Sequence, residues 1–366
     1  MPDAGMITTL DEFEEEYRKG IGQPLPNRWT IEASADNIRR WGDGVGDYNP
    51  LWRDPAYAAA GPYQRLTAPP TFIYACSLGV RAAEDGAIDP DRLSTTNFPM
   101  NYAGGEIVFH RPIWLGDVIT AQEEVGPIIR KHSERIGPFV INTGLVQYIN
   151  QRQELVASKA TRMARYQNLG SGSTIEYDRE TRDDRQSGPA DPLVWERERR
   201  GPDPLYWQDL SAGDKLPILP KGTYSVSELF LFTHGVLGTY RTKREALERE
   251  GSAELGGGGR FDMEHAADRR NMPGQFDYGP QRVCWMAQIV TDWIGDHGTL
   301  KRMLNQIRHP NVVGDSNWVN GEVAKTYVEG DRHLADIDVW VENQAGLQTA
   351  MSLVTVELPS RETDAG

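Results

Sequence analysis

Cysteine, basic charge and long apolar runs are all scarce in this chain. Its 366 residues include two cysteines, Cys76 and Cys284. Neither sits in a CxxC or Cys/His spacing, which argues against a disulfide scaffold or a structural zinc site and points to a reducing compartment. Lysine and arginine number 39 against 53 acidic residues, for a formal charge of -14, so a nucleic-acid backbone or an anionic membrane would repel the protein. The most apolar stretch, Ser227 to Tyr240, is broken by Glu228, Thr233 and His234 and falls short of the roughly 18 apolar residues that a membrane span needs. The N-terminus has no basic region followed by an apolar run, so it does not read as a secretory signal and a cytoplasmic location is expected. The seven histidines form no H-x-x-x-H pair, and the Gly256 to Gly259 run has no following Lys-Ser/Thr, so neither a metal site nor a phosphate loop is indicated.

What remains is a chain with 39% hydrophobic residues, enough to bury a core and, at about 150 residues per domain, long enough for two domains. A charged, Gly- and Pro-rich connector (168–204) divides it, after an N-terminal arm (1–26) that reads as a short acidic helix capped at Thr8 or Thr9. The flanking segments 27–167 and 205–360 repeat one another. FHRPIWLGDVITAQEEV and IRHPNVVGDSNWVNGEV superpose without a gap, carrying Pro112, Gly116, Asp117, Glu124 and Val125 onto Pro310, Gly314, Asp315, Glu322 and Val323. Each is followed by alternating strands joined at an Asn-Gln turn. Each half also holds a helix that is apolar almost all round, Thr71 to Ala83 and Gln281 to Ile294, and a helix without a polar face must be enclosed. The expected fold is α+β, two antiparallel sheets each wrapped around a central helix.

The stretch WGDGVGDYNPLWRDPAYAAAGPYQRLTAPPTF sharpens this expectation. Its Gly46, Asp47, Asn49, Pro50, Asp54, Tyr57, Ala58 and Gly61 resemble the G-D-x-N-P-x-H motif of MaoC-like dehydratases and (R)-specific enoyl-CoA hydratases, and the duplication resembles their double hot-dog fold. The family histidine position is occupied by Trp52. The resemblance implies an acyl-CoA lyase, an enoyl-CoA hydratase or 3-hydroxyacyl-CoA dehydratase of fatty acid or lipid metabolism. It would need no cofactor beyond the coenzyme A of its substrate, and would act as a homodimer or with a related hot-dog partner chain. In the family an Asp/His pair shares the water that adds to the double bond. Tryptophan cannot take over, because the indole N–H only donates and does not titrate.

Aligning Gly61 with Gly274 sets His265 opposite Trp52, Arg260 opposite Asp47 and Asp262 opposite Asn49. The expected catalytic residues are therefore His265 for proton transfer, Asp262 to orient water, and Gly279 as the N–H donor that the family places at the helix start. Glu264 and Asp268 are substitutes for Asp262. Asp47, Asn49 and Tyr278 are secondary candidates, and Asp47 and Asn49, with Pro50, read more readily as a hydrogen-bonded turn that caps the loop. Trp52 is assigned to acyl binding. Arg282, with Lys301, Arg302 and Arg308, is assigned to the phosphates of coenzyme A or to a solvated charged face. The first half is expected to supply the channel for the acyl tail. A hot-dog thioesterase and a noncatalytic acyl-thioester-binding subunit that borrows a partner's Asp/His pair are the rival readings.

Overall fold

The computed structural model describes residues 7–25, 30–77, 100–134, 137–166, 197–237 and 274–362. The arm forms helix α1 (Leu10–Lys19), opened by Thr9, whose hydroxyl accepts from Glu12 N while the Glu12 carboxylate accepts from Thr9 N. Its Phe13 packs on Ile128 and Val140 in a small separate core.

The first half then runs β1 (Ile31–Glu32), α2 (Ala35–Val45), α3 (Pro55–Ala60), β2 (Thr67–Ala68), a 3-10 turn at Pro70–Phe72, α4 (Ile73–Ser77), β3 (Met100–Phe109), β4 (Ile113–Trp114), β5 (Val118–Ser133), β6 (Gly137–Ile149) and β7 (Leu155–Tyr166). The second half gives β8 (Leu219–Thr223), α5 (Val226–Phe232) continued by a wider turn over Thr233–Leu237, α6 (Gly279–Ile294), β9 (Thr299–Ile307), β10 (Ser316–Glu329), β11 (Arg332–Asn343) and β12 (Gln348–Glu357). All sixteen residues of α6 are buried, as its all-round apolar sequence requires. The helix starts two residues earlier than its pattern predicts. The first central helix is a 3-10 turn followed by α4, and its expected continuation, 78–83, lies outside the described residues.

The sheets of the two halves join edge to edge into one antiparallel sheet in the order β1-β5-β6-β7-β3-β9-β12-β11-β10-β8, while β2 pairs with β4 apart from it, and β3 lies against β9 at the seam. There Glu106 pairs with Leu304, and the offset that carries Pro112 onto Pro310 also carries Glu106 onto Leu304. The two halves are thus related by a pseudo-twofold axis through the middle of the sheet. Each half would otherwise expose a strand edge there, and the pairing covers both. One continuous core contains Trp41, Phe72 and Tyr148 together with Tyr224, Trp285 and Val339.

The repeated P-x-x-x-G-D block is a turn with the same bonds twice. Asp117 N donates to Trp114 O and Asp117 Oδ2 accepts from Trp114 N; Asp315 does the same with Val312. The third turn residue is Gly116 at φ +86° and Gly314 at φ +99°, a conformation that favours glycine. The Asn-Gln turns match as well. Asn150 Oδ1 accepts from Arg152 N and Glu154 N, and Asn343 Oδ1 from Ala345 N and Leu347 N. The following Gln151 and Gln344 accept from Val118 N and Ser316 N at the start of the paired strand.

Candidate functional site

The motif loop follows from its own sequence. Gly46 ends α2 in the left-handed conformation. Asp47 Oδ1 then accepts from Asn49 N at 3.2 Å, Asn49 Oδ1 accepts from Leu51 N at 3.0 Å, and Asp54 caps α3 through Ala56 N and Tyr57 N. These are the short-range bonds that Asp and Asn make when they hold turns. Asp47 is 1% exposed and faces a cluster of charges brought in by the second half. Burial raises its carboxyl to about 6, and the nearby Asp292 carboxylate adds to the rise, against the pull of Arg199, Asn49 N–H and Lys221. Asp292, on α6, binds Arg197 at 2.5 Å and Arg199 at 2.9 Å, both from the end of the connector. Lys221 donates to Val45 O and Gln288 Oε1, and Gln288 donates to Gly46 O, which fastens the loop to α6.

Beside this loop opens a cavity of about 300 Å³. Its apolar walls include Leu51, Trp52, Ile73, Phe109 and Ile294, and its rim carries His110, Arg111 and Lys301. A second cavity of about 220 Å³, lined by Arg199, Gly201 and Asp292, shares the walls Asn49, Thr291, Gly295 and Asp296 with it. Trp52 is 5% exposed, and its Nε1 has no hydrogen-bond partner among the described residues. Asp296 accepts the Tyr57 hydroxyl at 2.6 Å, and burial raises its carboxyl above the usual carboxylate range. Nothing in the local sequence signals that pair, since its members are far apart in the chain.

Register ties this cavity to its counterpart in the second half. Thr67 pairs with Trp114 and Phe276 with Val312, and the repeat sets Trp114 and Val312 in equivalent places. Thr67 is therefore equivalent to Phe276, and Pro70 to Gly279. Each of the latter is the first residue of its helical turn. Where the resemblance implies an N–H donor, the first half has a proline, which has none. The same register sets Gly274 opposite Arg65 rather than Gly61, so the two loops enter their helices four residues apart.

The expected catalytic pair His265 and Asp262, with Arg260, Glu264 and Asp268, lies outside the described residues. Gly279 is buried at the start of α6, where an added Cβ would stand 2.6 Å from the Tyr102 ring. Tyr278 precedes it as the capping residue and packs its ring toward Phe232. Gly279 is also far from the open cavity. Ile294 lies fifteen residues further along α6, roughly 22 Å at 1.5 Å per residue. The first-half cavity thus lies at the opposite end of α6 from Gly279.

Arg282 needs a correction of its own. It is 1% exposed, holds Asp277 at 2.7 Å, and donates to His309 O and Thr349 O. A guanidinium so enclosed ties α6 to two strand ends and presents no surface to a phosphate. Lys301 and Arg302 pair with Glu357 and Glu106. Cys76 and Cys284 are buried, with thiols pushed up to about 12 by burial, as packing residues would be. Among the described residues no group of three or more His, Cys, Asp or Glu is placed to hold a metal ion, and no helix is long and apolar enough to cross a membrane.

Comparison with known proteins agrees with this architecture. The family model described as the FAS1-like dehydratase domain region matches residues 19–159. A protein of Thermomonospora curvata named "probable enoyl-CoA hydratase alpha subunit" is 28% identical over 167 residues, 43% of this chain and 52% of that protein. The 3-oxo-4,17-pregnadiene-20-carboxyl-CoA hydratase alpha subunit of Mycobacterium tuberculosis is 26% identical over 181 residues, 47% of this chain and 58% of that one. The match thus spans little more than half the length of these relatives. A UPF0336 protein of Streptomyces avermitilis is 30% identical over 108 residues, 30% of this chain and 70% of its own length. Among solved structures, a MaoC-like dehydratase superposes with a TM-score of 0.66 at 16% identity, covering 94% of this chain and 99% of its own. A Mycobacterium tuberculosis protein described as a double hotdog fold gives 0.57 at 13% identity over 93% and 97%. With the duplicated half, the G-D-x-N-P loop and the shared sheet, the chain belongs with the UPF0336 proteins, carries a FAS1-like dehydratase region in its first half, and has the double hot-dog fold of the MaoC-like dehydratases.

Proposed function

We propose that the chain serves the reversible hydration of a 2-enoyl-CoA to a 3-hydroxyacyl-CoA through two unlike sites. The first-half cavity holds an acyl thioester without moving protons. Proton transfer belongs to the second loop, where Asp262 orients or activates water, His265 shares the proton and Gly279 N–H receives the thioester oxygen as charge develops on it.

One observation carries this reading: Trp52 and Pro70 occupy the two chemically demanding positions of the first site. Adding water across the double bond requires a group that takes a proton from water, a proton returned to the carbon next to the thioester, and a donor for the oxygen. An indole cannot accept or titrate, and a proline nitrogen cannot donate. The apolar walls that remain suit an acyl group, as ligand cavities of this size do.

The alpha-subunit names of two relatives support a second reading, in which this chain binds the thioester and a related partner chain supplies the Asp/His pair. Assay of the purified full chain with crotonyl-CoA and with a longer or cyclic enoyl-CoA separates the readings. Hydration by the chain alone, lost in His265→Gln, supports two unlike sites. Tight binding of the thioester without turnover supports the partner-dependent subunit. Release of free coenzyme A would mark a thioesterase, and neither binding nor turnover would overturn every acyl-CoA reading.

A further inference from the structure

The open cavity of the first half has a counterpart position in the second, and the repeat identifies what stands there. Leu300, on β9, lines the open cavity. The offset that carries Pro112 onto Pro310 makes Tyr102, on β3, its equivalent. Strand pairing agrees, since Tyr102 pairs with Met163 before the register skips Ala103, and Leu300 pairs with Val356 before it skips Lys301. Pro70 and Ile73, also on the cavity wall, are equivalent to Gly279 and Arg282. A fourth wall residue, Val156, accepts from His110 N and Arg111 N just as Thr349 accepts from Arg308 N and His309 N.

In the second half these positions close on one another. The Tyr102 ring lies on Gly279, its Cδ1 2.6 Å from where a Cβ would stand, and Ile307 is 3.4 Å from the same point. The Tyr102 hydroxyl bonds that of Tyr74, from the first central helix, at 3.1 Å. Arg282 reaches Thr349 O at 2.9 Å. We propose that Tyr102 is a size filter for the second site, a first-half side chain that fills the space beside Gly279 and confines that site to short acyl groups. The proposal rests on the reading that Gly279 N–H receives the thioester oxygen, and adds which acyl groups fit there. A four-carbon chain ends close to the thioester. A longer one must displace a ring that is packed on backbone and tethered at its hydroxyl, and close-packed groups yield only by shifting their neighbours.

The test is steady-state hydration of crotonyl-CoA and of 2-decenoyl-CoA by the full chain. The native protein should favour the short ester in kcat/KM by about tenfold or more, the scale on which an apolar pocket sorts chains by fit. Tyr102→Ala should shrink that preference to within about twofold, chiefly by lowering KM for 2-decenoyl-CoA. Tyr102→Leu copies the residue of the first half and should move the preference the same way, so it carries the test if Tyr102→Ala does not fold. Tyr74→Phe breaks the hydroxyl bond but leaves the Tyr102 ring on Gly279, and should keep the preference. A native chain that hydrates the long ester as efficiently as the short one, or a preference unchanged in the Tyr102 variants, overturns the filter and leaves the catalytic reading standing. Hydration of neither ester overturns the catalytic reading, and the filter with it.

Discussion

Gly44 and Gly235 lie against each other where α2 meets the turn that continues α5, and each faces the other's backbone in the same way. A Cβ on Gly44 would stand 2.8 Å from Leu231 O, and one on Gly235 would stand 2.4 Å from Arg40 O. Both carbonyls are four residues before the opposing glycine, so the contact repeats itself across the pseudo-twofold axis. Because the obstacles are backbone atoms, the helices must separate to admit a methyl group. Gly44→Ala or Gly235→Ala should each cost about 1–3 kcal/mol, read as a lower urea midpoint with an unchanged slope.

Asp47 makes stability depend on pH in a direction opposite to most carboxylates. Its carboxyl titrates near about 6 in the folded chain and near about 3.9 in the unfolded one. The folded state therefore binds the proton more tightly. That contribution is fully present below about pH 3.9 and is lost as pH rises through about 6. Asp47→Asn keeps an oxygen for Asn49 N but carries no charge. It should stabilise the protein by about 1–3 kcal/mol above about pH 7 and change little below about pH 4. Thermal melts across that range check it, and equal effects at both ends would contradict it.

Arg282 should behave as a structural residue. Removing one partner of a buried ion pair leaves the other charge uncompensated, so Arg282→Ala should cost about 3–5 kcal/mol through the stranded Asp277 carboxylate. Chemical denaturation measures the loss. A folded Arg282→Ala protein of native stability with a selectively raised KM for acyl-CoA would restore the phosphate-binding role.

The second loop should carry turnover. His265→Gln should lower kcat for crotonyl-CoA hydration by about 10²- to 10⁴-fold. Adding Trp52→His to that variant should recover nothing, because Pro70 still lacks the N–H that the thioester oxygen needs. Recovery in the double variant would mean that the first site needs only its histidine.

Much of this was legible in the sequence because it depends on neighbours in the chain. The repeat is visible because Gly116 and Asp117, like Gly314 and Asp315, make their turn within four residues. The G-D-x-N-P loop is visible because Asp47, Asn49 and Asp54 bond to backbone two or three residues ahead. The burial of α6 follows from its composition alone. The tertiary structure decided what depends on register and on distant partners. Strand pairing, not the glycine alignment, made Pro70 the counterpart of Gly279, because the loops differ in length and only the sheet keeps the two halves in step. Arg282 reads as a surface cation until Asp277 and two strand-end carbonyls enclose it. The cavity of Asn49 and Asp296 arises where the end of one half's helix meets the other half's loop, a contact between residues almost 250 positions apart that no local pattern encodes.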